Sequence, residues 1–491
     1  MTRRLVRTLG AGILALSLAA CGSTVSPAQR AAQGTTDAGI DAPSALPEGS
    51  ASGPAPEASA GGAIAGGART SAPGGAASGP GAETRAADRR PISVGILYTN
   101  NDAAPSAGID NGNTFTSRTA FEAFAAAYNQ RGGLAGRKIE PVYVELRSSS
   151  VTLQADLQAA CSTFTEDNHV AVVLSAVGLF SELLAQCLAS ARTPQIAGDY
   201  ALGDVTSLTQ SPSFYAPDTM TIDERMRALL ERATAAHRLT PADKIGVVVE
   251  GCPYNTRSYT RTVVPTAKRL GLTITDRVDA RCFEGFNDFG GQASDMAGAV
   301  LRLNSAGVTK VVFVSGSFEG NLMLLFAAAA ESQGFRPGYA LTSAAAPAVQ
   351  EANTPKTQLA NAFGIGWLPS VDTTRPAPAL PAAERCTQDL KAGAGVAPAS
   401  PADRYFAFSI CDTFALVDAA LRLTLGATDP SSIAAAIAGL GTGFAASAAH
   451  GESTDFRNAR HTGPAQGRLF AWSTACGCFD YTGGPFNLLS S

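Results

Sequence analysis

Histidine is scarce, with four residues in 491, and none shares zinc-ligand spacing with a cysteine. No CxxC pair occurs either, so no metal site is expected. HExxH, GxSxG, SxxK and the phosphate-loop pattern are also missing. Each of those motifs carries a specific chemistry. Without them the chain is expected not to be an enzyme and to need no cofactor. A Gly-rich stretch at 439–443 follows a helical segment instead of a strand and reads as a turn. His450 and His461 lie near Asp455 in a polar stretch. A hydrolase using them is a distant reading, and surface histidines are the simpler one. Basic charge is low, with 37 Lys and Arg against 41 Asp and Glu and a net charge of −4. Nucleic acid is therefore not an expected partner. After the N-terminus no run approaches the ~18 apolar residues of a membrane-spanning helix.

What the chain does have begins at its N-terminus. Arg3, Arg4 and Arg7 precede a short apolar run that ends in Leu18-Ala19-Ala20-Cys21. That is a secretory signal (1–21) closing on a lipobox, the pattern of bacterial lipoproteins. The Cys21 thiol is the expected lipid acceptor, and the mature chain is expected on the outer face of the cell membrane, held by its lipid. Loss of the three arginines would take the charge from −4 to about −7. Residues 22–90 are almost entirely Ala, Gly, Ser, Pro and Thr. Such a segment buries too little apolar surface to offset its ordering entropy, and it reads as a disordered tether. A coil of roughly 70 residues spans on the order of 45 Å.

Eight cysteines remain: Cys161, Cys187, Cys252, Cys282, Cys386, Cys411, Cys476 and Cys478. An even number in an exported chain suggests disulfides. Cys161 and Cys187 fall on consecutive helical segments. Cys252 and Cys282 each follow a strand, and the two strands are successive. Both pairs are expected. For the last four, Cys386–Cys411 and Cys476–Cys478 are the favoured partners.

From residue 91 short apolar strands alternate with helical segments. Strands are expected at 92–98, 138–146, 170–174 and 195–197, with helices at 115–131, 151–166 and 179–191 between them. The pattern restarts after 215, with a helix at 219–237 capped by Asp218. Strands at 244–249, 272–278, 310–314 and 339–342 follow, with helices at 257–270, 291–305 and 319–333 between them. Alternation of this kind implies βαβ units and parallel sheets covered on both faces. The expected fold is α/β, with two doubly wound parallel-sheet lobes. The first lobe is read at 91–215 and the second at 216–342. Residues 343–491 return to both lobes and include a Pro-rich surface excursion at 369–381. A strand is expected at 362–367, helices at 402–425 and 430–438, and a closing hairpin near the end.

Ligands in open α/β sheets bind at the carboxyl ends of the strands. Six loops there carry hydroxyls, rings, small residues and a few carboxylates, which suits a small polar solute. They are 99–114, 175–180, 198–202, 250–257, 315–319 and 343–345. Asp199, Glu250 and Glu319 are candidates to hold an ammonium. Tyr98, Ser175, Gly178, Asp199, Tyr200, Tyr254, Ser317, Phe318 and Glu319 are expected to line one cleft. Trp367 is a further candidate, with a buried structural role as the alternative.

The segment Asn129-Gln130-Arg131-Gly132-Gly133-Leu134-Ala135-Gly136-Arg137-Lys138-Ile139, with the opening strand and the strand–loop–helix units, resembles the Leu/Ile/Val-binding class of type I periplasmic binding proteins. These are the solute receptors of ABC importers, of the branched-chain amino acid transport family. The resemblance covers about 91–345. It implies two lobes joined by three crossover strands, with ligand closed between them. It implies that 175–178 offer a hydroxyl or backbone N–H groups to a ligand carboxylate. It further implies that Gly198, Asp199 and Tyr200 touch the head group, that Tyr254 supplies a ring, and that Ser317, Phe318 and Glu319 complete the site. Asp199 departs from the small or apolar residues common there.

The expected function is capture of a small polar solute, amino-acid-like or amide, by a monomer that hands it to an ABC permease. A ligand-sensing or envelope-interaction lipoprotein with the same fold is the alternative. Replacing Cys21 with Ser should move the chain from the membrane fraction to the soluble fraction or stop its processing. Fractionation of cells expressing the variant checks this, and a cleaved variant that stays with the membrane would contradict it.

Overall fold

The computed structural model describes residues 89–100, 112–317, 319–375 and 377–489. Cys21, Phe318 and nearly all of the tether lie outside them.

The inner strands are largely buried, and the edge strands are partly exposed. In β3 (Val172–Ala176) every residue is buried, as a strand covered by helices on both faces requires. It belongs to a five-stranded parallel sheet with β1 (Ile92–Thr99), β2 (Ile139–Leu146), β4 (Gln195–Ala197) and β5 (Phe214–Tyr215), in the order β2-β1-β3-β4-β5. A second sheet has the order β12-β11-β10-β9-β8-β6-β7. Its parallel part is β6 (Lys244–Glu250), β7 (Thr273–Ala280), β8 (Lys310–Val314), β9 (Gly338–Thr342) and β10 (Phe363–Gly366). Antiparallel β11 (Gln466–Ser473) and β12 (Cys478–Asn487) extend it as a closing hairpin. The α/β architecture read from the alternation is the one observed.

Helix α1 (Ser117–Gln130) starts at Thr116, whose hydroxyl accepts the Thr119 N–H. It buries Phe121 and Phe124 against Phe414 of α2 (Pro401–Leu423), with ring centroids 6.1 and 6.2 Å apart. The return segment thus completes the core of the first lobe. The glycine-rich segment after α1 is scaffold. Gly133 has φ +90°, and a Cβ there would lie 1.8 Å from the Arg137 carbonyl oxygen, so only glycine makes this turn. The Asn129 amide then bonds both the N–H and the C=O of Ile139, at 2.7 and 3.0 Å, and seats β2.

Three segments pass between the sheets, near 216–221, 367–381 and 441–465, and they bond to one another. Ala216 pairs with Thr462 in parallel. The Ala216 N–H donates to the His461 C=O at 2.8 Å, and the Gly463 N–H donates to the Ala216 C=O at 2.8 Å. Trp367 is wholly buried and its indole N–H donates to the Asp218 C=O at 3.1 Å. Trp367 therefore holds the crossovers together and faces no cleft.

Two expectations change here. The helix expected from 219 starts later, at Ile222, because Thr221 and Glu224 form a reciprocal capping box. Asp218 is not its cap but a buried member of the crossover. The Pro-rich excursion is superficial only in part. Its first turn, Pro369–Asp372, packs inward, and Asp372 accepts from Ser343, the Leu368 N–H and Tyr481.

All four disulfide pairs form: Cys161–Cys187, Cys252–Cys282, Cys386–Cys411 and Cys476–Cys478. The first closes a sequence separation of 26, for which chain entropy gives roughly 3 kcal/mol. Replacing Cys161 and Cys187 together by Ala should lower stability by about that amount. Denaturant titration checks this, and an unchanged midpoint would contradict it.

Candidate functional site

A cavity of about 90 Å³ lies between the lobes, inside a cleft whose empty space, open mouth included, is about 970 Å³. The first lobe contributes the end of β1 through Thr99, the loop after β2 through Arg147, Ser148 and Ser150, and the loop after β3 through Ala176 to Leu179. Tyr200 and, from α2, Tyr405 and Phe406 complete that wall. Tyr200 and Tyr405 are stacked at 4.9 Å. The second lobe contributes Phe283 and Gly285 beyond β7, Asn321, Ala346 and Val349, and the second crossover adds Val371. Most of this wall is apolar. Rings and aliphatic groups exclude water, and a few polar groups are left to orient a guest.

The lobes also meet beside the cavity. Arg257, from the second lobe, pairs with Asp204 at 2.8 Å and with Glu182, both from the first. The Asn287 amide donates to the Ser150 C=O at 2.7 Å. The Tyr254 ring stands edge-on to Phe180 at 5.6 Å, and its hydroxyl donates to the Phe180 C=O at 3.4 Å.

Of the expected residues, the structure brings Gly178 and Tyr200 to the cavity. The others with described side chains sit behind or beside it, each committed to another task. Tyr98 donates to Glu145 at 3.1 Å and accepts from Arg118 at 2.9 Å. Ser175 accepts from the Gln195 amide at 3.0 Å. Tyr254 is the interlobe contact just described. Ser317 donates to buried Glu250, which also accepts from Ser315, Asn255 and the Phe283 N–H. Glu319 accepts the N–H and hydroxyl of Thr342 at 3.2 and 2.7 Å. Trp367 is in the core, and Phe318 lies outside the described residues.

Asp199 is the main correction. One oxygen accepts the N–H groups of Val177 (2.9 Å) and Gly178, and the other accepts the Ala201 N–H at 3.0 Å. The carboxylate is a loop clamp, unavailable to an ammonium. Gly198 beside it allows the close approach of α2, since a Cβ there would lie 2.3 Å from the Ser409 carbonyl oxygen. Burial pushes the Asp199 carboxyl up to about 6, while the N–H groups work against that rise. The offset corresponds to about 3 kcal/mol against the charged form.

The loops after β2 and β7 were absent from the expected set. Both follow strand ends, the same signal that selected the other loops. Nothing in the chain order places Tyr405 and Phe406 at the cavity, because they arrive on a helix that returns from the second lobe.

Solved structures share this fold. A branched-chain amino acid ABC transporter protein from Thermus thermophilus with bound valine is 16% identical, with TM-score 0.59 over 81% of this chain and 97% of that one. A solute-binding protein of an ABC transporter from Rhodopseudomonas palustris BisB5, in complex with 3,4-dihydroxybenzoic acid, is 13% identical, with TM-score 0.58 over 81% and 98%. A leucine-binding protein from Thermotoga maritima is 14% identical, with TM-score 0.57 over 81% and 99%. The fold is that of the type I periplasmic binding proteins. No family model matches the chain, and no curated protein matches it by sequence.

Burial also raises Asp372 and Asp412, each to about 7, and raises Asp218. These four carboxyls bind a proton more tightly in the folded state than in the unfolded one. Stability therefore rises as pH falls from about 7 towards 4. His450, held towards its neutral form by burial, opposes this as a single group. Below about pH 4 the depressed carboxyls of Asp204, Glu224 and Asp295 lose their arginine partners and stability falls. The melting temperature should be higher at pH 5 than at pH 7.5, as calorimetry can check. A steady decline from pH 7.5 to pH 5 would contradict it.

Proposed function

We propose that this chain is an exported, lipid-anchored solute-binding protein that captures one small molecule between its lobes and passes it to an ABC permease. The observation that carries the proposal is the interlobe cavity, walled by both lobes and by the segment that returns to the first. A guest there touches both walls at once, so it stabilises the closed arrangement over an open one. No bond is made or broken. The lipobox supports the location, and the solved neighbours, one with bound valine and one in complex with 3,4-dihydroxybenzoic acid, support solute capture.

A bound solute should raise the melting temperature. At 100 times its dissociation constant it contributes about 2.7 kcal/mol. Phe406→Ala, which removes a half-buried ring from the cavity wall, should weaken binding by roughly tenfold. Thermal-shift screening of the purified chain against amino acids, amides and small organic acids is the test. A panel with no stabilising member, or a Phe406→Ala variant with parental affinity, would count against the proposal.

A further inference from the structure

The charge around the cavity is unbalanced in a way that narrows the solute. Among the described residues that line it, none is Asp, Glu or Lys, and the one charged side chain is Arg147. Arg147 is exposed at the mouth and has no ion pair or side-chain hydrogen bond among the described residues. Two carboxylates share its surface hollow, and both are engaged elsewhere. Glu145 accepts from Tyr98 and Asn100, and Asp156 accepts from Ser150 and Thr152. Arg147 thus carries its charge without a partner among the described residues.

The loop after β3 is closed to an anion. Its Val177 and Gly178 N–H groups already hold the Asp199 carboxylate. A second carboxylate brought there would meet a like charge and find those donors taken. An ammonium fares no better, because a cation placed among apolar walls with no carboxylate stays unpaired at high cost. A zwitterionic α-amino acid could set its carboxylate on Arg147, but its ammonium would find no carboxylate partner in the described lining. The cavity instead offers rings (Phe283, Phe406, Tyr200 and Tyr405) and the Asn321 amide opposite. Aromatic pairs favour flat ring-bearing guests beyond simple area burial.

Resting on the solute-binding reading above, we propose that the solute is a ring-bearing monocarboxylate, with its ring between the lobes and its acid group at the mouth on Arg147. Asp199 is then a specificity residue. It fills the anion seat of the β3 loop from within and moves the solute's acid to the β2 loop.

Titration calorimetry of the full mature chain with three probes tests this. The probes are benzoate, neutral benzamide and zwitterionic leucine. Benzoate should bind at least tenfold more tightly than leucine. Arg147→Ala should weaken benzoate by roughly tenfold or more, the scale of a hydrogen bond to a charged group, and leave benzamide within about twofold. Arg147→Lys should recover part of the loss, because it restores charge without the fork. Arg147 is exposed, so these variants are expected to fold as the parent does. Leucine binding as tight as benzoate, or an Arg147→Ala variant with parental benzoate affinity, would overturn this proposal and leave the solute-binding reading standing. If none of the three probes binds while another solute stabilises the chain, the proposal fails alone. If no solute of any class binds, both fail.

Discussion

Backbone hydrogen bonds among the three crossover segments set the geometry on which the rest depends. The Ala216 N–H and C=O are both used, towards His461 and Gly463. The Trp367 indole ties the second crossover to the first through Asp218, and the His450 N–H ties the third to the second through the Trp367 C=O at 2.8 Å. These contacts, backbone to backbone apart from the Trp367 indole, hold the two sheets together through a narrow, well-bonded strip. The strand ends of both sheets then open toward a shared space. A fold of this kind can vary its cavity wall freely so long as the strip survives.

The buried carboxylates fit the same logic. Asp199, Glu250, Glu319 and Asp372 are each almost fully buried, and each accepts hydrogen bonds from N–H or O–H groups of nearby loops. A buried carboxylate is tolerated when its lone pairs are filled this way. The four act as clamps on the loops that follow β3, β6, β8 and β10. They fix loop conformation, and so the cavity wall in front of them. The burial cost appears as raised proton affinity at Asp199 and Asp372. Asp218 differs: it is buried with neither oxygen hydrogen-bonded among the described residues, and burial raises its proton affinity. Its backbone C=O, through the Trp367 contact, is what serves the crossovers.

Much of the fold could be read from the sequence because period and burial agree. Runs such as Val172 to Leu174 and Val311 to Val314 are apolar throughout, as covered parallel strands favour. Cysteine placement was equally legible, since consecutive helices and successive strands put their ends within bonding reach. The site was harder. Strand ends identify ligand-prone loops, but no local pattern says which way a loop side chain turns. Asp199 and Ser317 stand where a ligand contact is expected, yet both turn toward the loops and hold them. Phe283 and Arg147 follow edge strands, and Tyr405 and Phe406 arrive on a helix some 230 residues after β3. Their meeting is a consequence of three-dimensional return, which spacing along the chain does not encode. The glycine-rich segment that carries the family resemblance lies in the scaffold, so the strongest sequence signal points to the fold and is silent about the solute.

The central claim is that the interlobe space is a solute site. Native mass spectrometry of the mature chain, purified from its own host without refolding, tests it most directly. The account predicts one small molecule retained per chain, released on gentle activation and retained at lower occupancy in a Phe406→Ala variant prepared the same way. A parent chain that carries no added mass, and gains none when offered the small molecules of its host's growth medium, would contradict it.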